Sequence, residues 1–187
     1  MEFRRILPGS PDIPLMDEVN LEAFPPEELM STEMQMELAA KGSLEVWAVY
    51  DGQTFVGFTT VYPHTRLAYV FFLAVSSKTR SHGYGSRILS MLREQYSGKR
   101  IVLDIEPLDP GAPNYDIRVR RKQFYLRNGF HESGWLLKYL GLSFEVLYAE
   151  APGEFRIEDY EEMMDGIREM IHSCGFDVFK PEISPIG

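Results

Sequence analysis

Between residues 67 and 105 the hydrophobic period changes twice, which confines the chain to folds in which helices pack against a sheet. Residues 67–75 form a run of strand formers. Residues 83–96 then carry Ile88, Leu89, Leu92 and Tyr96 at helical spacing and stop at Gly98. Residues 100–105 return to the pattern of a buried strand. Two strands joined through a helix make a parallel βαβ unit with a right-handed crossover, and ligands gather at the carboxyl ends of such strands. Glu106 stands at one of these ends. The polar, glycine-bearing turn that follows Leu73 and Val75 stands at the other.

The flanking segments extend this unit in both directions. Residues 2–7 read as a first strand, stopped by Pro8-Gly9-Ser10-Pro11, and helices are expected over 14–23 and 31–41, separated by Pro25-Pro26 and ended by Gly42. Residues 44–50 and 54–62 are strands joined by the hairpin signal Asp51-Gly52-Gln53. After a proline-rich loop over 106–113, Asp116 is placed to cap a helix running to Arg127, with Asn128-Gly129 as its left-handed stop. Strands at 130–139 and 142–149 follow, then an acidic helix over 157–172, and residues 181–187 read as a loose end. The expected class is α/β (α+β), with about seven strands in a mixed central sheet flanked by helices.

A length of 187 residues suits one domain with a substantial core. The longest apolar run, at 67–75, is too short to span a bilayer, and Met1-Glu2-Phe3-Arg4-Arg5 lacks the apolar core of a signal peptide. A cytoplasmic protein with no membrane partner is expected. The single cysteine, Cys174, excludes an intrachain disulfide and a cysteine-based metal site. A net charge of −9 argues against nucleic-acid binding. Acidic residues crowd 18–37 and 150–165, whereas Arg118, Arg120, Arg121, Lys122 and Arg127 cluster together and Lys78, Arg80 and Arg87 surround the glycine turn. The charges read either as two poles or as solvated helix faces.

The turn Ser76-Ser77-Lys78-Thr79-Arg80-Ser81-His82-Gly83-Tyr84-Gly85 has the form of an anion cradle: a strand, a tight turn and a helix N-terminus aim unpaired N–H groups and the positive end of a helix dipole at one point. The phosphate loop of nucleotide hydrolases needs Gly-Lys-Ser/Thr, which Gly85-Ser86-Arg87 does not supply. The dinucleotide fingerprint needs a third glycine where Ile88 stands.

Arg80-Ser81-His82-Gly83-Tyr84-Gly85 instead resembles motif A, Arg/Gln-x-x-Gly-x-Gly/Ala, of the GCN5-related N-acetyltransferase (GNAT) superfamily, with Leu73-x-Val75 matching the family's fourth strand. Forty residues on, Tyr125-Leu126-Arg127-Asn128-Gly129-Phe130 resembles that family's Tyr-x-x-x-Gly-Phe motif. The order of elements agrees, so the resemblance covers residues 1–150 as an acetyltransferase domain, with 151–187 as a helical extension packed on the same domain.

The resemblance implies acetyl-coenzyme A as cosubstrate, no metal, and transfer of an acetyl group to a primary amine by direct attack. It implies a sheet splayed between strands 4 and 5. Lys78, Arg80, Ser81, His82, Gly83, Tyr84, Gly85 and Ser86 would hold the pyrophosphate, glycines letting the backbone approach closely. Arg87 or the cluster from Arg118 to Lys122 would meet the ribose phosphate. Backbone N–H groups near Leu73 and Val75 would face the thioester oxygen, and Tyr125 would donate a proton to the departing sulfur. Glu106 is the candidate base. Asp104 reads as structural, and His64 and Tyr62 as uncommitted neighbours. Arg118 and Arg121 occupy positions where family members carry asparagine and alanine, and Asn114 is the expected substitute for that asparagine. The acceptor is an amine-bearing small molecule or peptide, steered by the acidic helices. A domain that binds acyl-coenzyme A without turnover would share the cradle. The last strands and the C-terminal helix offer surfaces on which two chains could pair.

Overall fold

The computed structural model describes residues 1–80, 82–175 and 179–187. The elements are β1 (Glu2–Arg5), α1 (Ile13–Ala23), α2 (Thr32–Ala40), β2 (Glu45–Asp51), β3 (Thr54–Pro63), β4 (Leu67–Val75), a 3-10 turn (Ser77–Thr79), α3 (Tyr84–Gln95), β5 (Arg100–Ile105), α4 (Tyr115–Arg127), β6 (Phe130–Tyr139), β7 (Leu142–Ala149), α5 (Ile157–His172) and β8 (Glu182–Pro185). The strands follow the hydrogen-bonded order β1-β2-β3-β4-β5-β7-β6-β8 in a mostly antiparallel open sheet. Two compact units divide the chain, Met1–Pro63 with Tyr69–Gln95, and His64–Ala68 with Tyr96–Gly187. Among the described residues no helix is long and apolar enough to cross a membrane.

In the first unit β1, β2 and β3 pair antiparallel, with Arg4 opposite Ala48 and Trp47 opposite Thr59. The alternation of β3 and β4 sends Phe58, Phe72 and Ala74 into a core shared with Ile6, Met16, Val19 and Met36. Burying each of the larger side chains contributes about 1.5–3 kcal/mol. Two polar side chains beside this core are bonded to each other and to the backbone: Thr60 Oγ1 donates to Gln35 Oε1 at 2.6 Å, and Gln35 Nε2 donates to Met30 O at 3.0 Å. Ser31 caps α2 by accepting from Met34 N at 3.2 Å.

In the second unit β7 lies between β5 and β6, with Leu103 opposite Leu147 and Leu137 opposite Phe144. α5 buries Tyr160, Met163, Met164, Ile167 and Ile171, whereas Ile157 at its start is half-buried. Two expectations need correction here. Residues 182–185 are a strand, β8, paired with β6 through Leu137 opposite Ile183, so the sheet has eight strands where about seven were expected. The alternation in a four-residue strand is too short to register as a period. Asp116 also does not cap α4. Its N-cap is Asn114, which makes no capping bond because its side chain is drawn to the ionic groups of Glu106 and Arg118.

Candidate active site

The turn after β4 is built within the first unit. Phe72 and Ala74 are buried while Leu73 and Val75 are half-buried on the opposite side of the strand. Gly57 sits where β3 loses register, Val49 facing Gly57 and Tyr50 facing Phe55. A Cβ at Gly57 would lie 2.1 Å from Ala74 O, so only glycine lets β3 approach the end of β4 this closely. Ser76 N then donates to Val56 O at 3.0 Å, and Thr79 Oγ1 donates to the same carbonyl at 3.3 Å. Gly57 was not singled out in the sequence, although an isolated glycine inside a strand pattern signals such an approach.

The cradle is braced by its own side chains. Ser76 Oγ accepts from Lys78 N at 3.3 Å, and Arg80 Nε donates to Val75 O at 3.3 Å. His82 Nδ1 lies 2.9 Å from Arg80 O and 3.1 Å from Thr79 O. Both partners are carbonyls, so this nitrogen carries the proton, and the imidazole locks the turn. Gly83 adopts φ 72°, the left-handed conformation that lets the chain enter α3. Tyr84, Gly85 and Ser86 form the first turn of α3, whose N–H groups have no partner within the helix. Ile88, Leu89 and Leu92 anchor the helix in the core. Ser81 lies outside the described residues.

Charge at the cradle is arranged as no sequence pattern indicated. Lys78 Nζ lies 2.6 Å from Glu18 Oε1, and Arg80 Nη2 lies 3.3 Å from Glu22 Oε1. The acidic α1 therefore meets the basic turn, and the hydrogen bond that Lys78 donates to the Glu18 carboxylate raises the Lys78 pKa. Tyr84 donates to Asp51 Oδ2 at 3.1 Å, and Arg87 lies 3.4 Å from the same oxygen. Burial, then that hydrogen bond, raises the Tyr84 pKa.

The second group of candidates lies in the other unit, where β5 leads into α4. Glu106 Oε1 is 2.7 Å from Arg118 Nη2, and Oε2 is 2.9 Å from Arg121 Nη1. Asn114 Nδ2 donates to both carboxylate oxygens, at 3.1 and 3.3 Å, and Asn114 Oδ1 accepts from Arg118 Nε at 2.8 Å. Arg118 Nη1 reaches Pro107 O at 3.0 Å. Glu106, Asn114, Arg118 and Arg121 thus form one ionic network that fixes the first turns of a helix with no fully buried side chain.

Further along α4, Lys122 Nζ lies 2.9 Å from both oxygens of the buried Glu145 and pairs with Glu132. Burial works against the Lys122 charge, but its hydrogen bonds to these carboxylates outweigh this and raise its pKa. Tyr125, one turn beyond Arg121, packs its ring against Phe130, 5.4 Å between centroids. Burial pushes its hydroxyl up to about 12; the Arg121 charge works in the opposite direction and that of Asp104 adds to the rise. The phenol is a proton donor throughout the neutral range. Gly129, at φ 76°, ends the helix as expected.

Comparison with known proteins agrees with this architecture. Residues 42–132 match the sequence model of the acetyltransferase (GNAT) domain, a span that includes both motifs. A protein from Bacteroides thetaiotaomicron assigned to the GNAT acetyltransferase family superposes with a TM-score of 0.72 at 28% identity, over 95% of this chain and 99% of that one. An aminoglycoside 6'-N-acetyltransferase complexed with coenzyme A superposes with a TM-score of 0.63 at 18% identity, over 82% of this chain and 100% of that one. A GNAT acetyltransferase from Elizabethkingia anophelis with acetyl-CoA bound gives 0.57 at 17% identity, over 80% and 97%. The two at lower identity are similar in fold. No curated protein matches the sequence. The chain carries an acetyltransferase (GNAT) domain over residues 42–132, a span that holds both motifs, within a fold that agrees along nearly its whole length with that of the Bacteroides protein.

Proposed function

We propose that this acetyltransferase moves an acetyl group from acetyl-coenzyme A to a primary amine by direct attack, and that residues 1–150 carry the reaction with 151–187 as an addition. The observation that carries the reading is the open left-handed turn at Gly83, at the N-terminus of α3. Among the described residues, its two chain neighbours apart, no heavy atom lies within 4 Å of where a Cβ would stand, so a phosphate oxygen has room beside the backbone. Lys78 and Arg80 flank it on exposed ion pairs with Glu18 and Glu22, which are weak and readily exchanged for phosphate.

Bound acetyl-coenzyme A supplies an activated thioester. The chain supplies the rest in this reading. N–H groups from Tyr84 to Ser86, with Ser81 and His82, hold the pyrophosphate, and backbone N–H groups near Leu73 and Val75 meet the charge that develops on the thioester oxygen. Tyr125 donates a proton to the departing sulfur. Glu106 accepts the proton of the amine through a bridging water, because Asn114, Arg118 and Arg121 already hold both its oxygens. Arg118, Arg121 and Asn114 set the entry to α4 beside the pantetheine. The acceptor is a cationic small molecule or peptide amine, a class to which the substrates of the aminoglycoside-acetylating neighbour belong.

Release of free thiol from acetyl-coenzyme A across a panel of amines tests the reading. Turnover with at least one amine class supports it, together with a melting temperature raised by acetyl-coenzyme A in the wild type and unmoved in Gly83→Val. Binding without turnover on any amine would favour a sensor of acyl-coenzyme A.

A further inference from the structure

Helix α4 is seated on the sheet by charge. Residues 118, 121, 122 and 125 share one stripe of the helix, at the i, i+3, i+4, i+7 spacing that a surface helix ordinarily fills with apolar side chains. In α4 that stripe is Arg118, Arg121, Lys122 and Tyr125, and among the described residues no side chain of the helix is fully buried. Ile117 and Leu126, its larger aliphatic residues, are exposed instead. Apolar burial is non-directional, whereas a helix held by ion pairs stands where their partners stand.

Two carboxylates hold the stripe. Glu106 takes Arg118 and Arg121, and Glu145 on β7 takes Lys122, with Nζ 2.9 Å from both of its oxygens and Glu132 on β6 as a second partner. Glu145 is 3% exposed, and its neighbours across the sheet are Ile105 on one side and Leu136 on the other. A charge is costly in such a place. Burial raises the Glu145 pKa, and the hydrogen bond from Lys122 works against this. Apolar side chains of similar volume often serve a buried site as well or better, so stability alone does not account for the pair. What the pair adds is a single position for the helix.

Tyr125 lies one turn beyond Lys122 on the same stripe, with its ring 5.4 Å from that of Phe130. Phe130 and Glu132 stand two apart on β6 and share one face, so the partners of Tyr125 and Lys122 are neighbours. Moving α4 by one residue would part Lys122 from Glu145 and carry Tyr125 about 1.5 Å along the helix axis. An error of about 1 Å in placing a reacting group can cost about 100-fold in rate.

We propose that Lys122, paired with Glu145, is a positioning residue: the pair fixes α4 so that the Tyr125 hydroxyl stands where the departing sulfur takes its proton. The inference rests on the role given to Tyr125 above.

The test replaces the pair by apolar side chains, Lys122→Met/Glu145→Leu, alone and together with Tyr125→Phe. Thiol release from acetyl-coenzyme A is followed with the amines of the panel and with water alone as acceptor. The pair variant is expected to keep the melting shift caused by acetyl-coenzyme A and a KM for it within about twofold of the parent, while kcat falls about tenfold. Added to Tyr125→Phe, the same two substitutions are expected to change kcat by less than about twofold, because the group they misplace is already gone. Lys122→Arg keeps the ion pair and is expected to retain most of the parent's kcat. Should the apolar pair fail to fold, Lys122→Gln/Glu145→Gln carries the same expectations. A folded pair variant as active as the parent, or an equal loss with and without the Tyr125 hydroxyl, would overturn this inference and leave the role of Tyr125 standing. Full activity in Tyr125→Phe, or no thiol release by the parent with any acceptor, would overturn that role and this inference with it.

Discussion

The carboxylate of Glu106 lies 2.7 Å from the guanidinium of Arg118, and the same carboxylate holds Arg121 and Asn114. The residue proposed to accept the amine proton is therefore also the anchor of α4. Glu106→Gln separates the roles. If it accepts the amine proton, kcat at pH 7 falls about 100-fold, and the deficit closes as pH rises and the amine loses its proton unaided. This is the expected result. A raised KM for acetyl-coenzyme A with an unchanged pH profile would leave Glu106 as an anchor alone.

Tyr125→Phe removes the proposed acid and little else, since the ring contacts with Phe124 and Phe130 remain. Thiol-release assays should show kcat reduced about 100-fold or more, with KM for acetyl-coenzyme A little changed. The raised pKa also has a consequence for stability. The contribution is fully present below the unfolded value near 10 and is lost as pH rises towards about 12, because the unfolded chain ionises first. Denaturant unfolding between pH 9 and 12 should show a shallower decline in the phenylalanine variant.

Lys122→Met leaves Glu145 buried without its cation. Breaking such a pair costs about 3 kcal/mol, which at this chain length lowers Tm by roughly 6–12 °C. Glu145→Leu added to the same variant removes the stranded charge and should recover most of the loss. Thermal unfolding of the single and double variants checks both outcomes.

Gly57→Ala forces a methyl group against the Ala74 carbonyl, a backbone atom that cannot move without shifting the end of β4. Destabilisation of about 2–3 kcal/mol is expected. The melting shift caused by acetyl-coenzyme A should weaken more in this variant than in one made at the exposed Gly153, where a Cβ meets nothing within 4 Å.

Local signals carried most of the fold. β4, β5, β6, β7 and α5 occupy the residues at which their periods begin and end in the sequence. Glycines at 83 and 129 take the left-handed angles that their places beside helix ends demand. β8 was hidden because four residues next to a proline show no usable alternation. The cap of α4 was misplaced because Asn114 has a stronger call on its side chain than a backbone N–H, namely the ions of Glu106 and Arg118.

The sequence by itself determined where the strands, helices and glycine turns form, because periodicity, β-branching and the absence of a Cβ act on the nearest few residues. It also carried the two motifs by which the family is known. Only the tertiary structure decided how the charges are spent. Lys78 and Arg80 face Glu18 and Glu22 from nearly sixty residues away, Lys122 lies over Glu145, and Glu106 gathers two arginines. Nothing in the local pattern marks such pairs, since a charged side chain reads the same in sequence whether its partner is water or another ion. The fold brings them together.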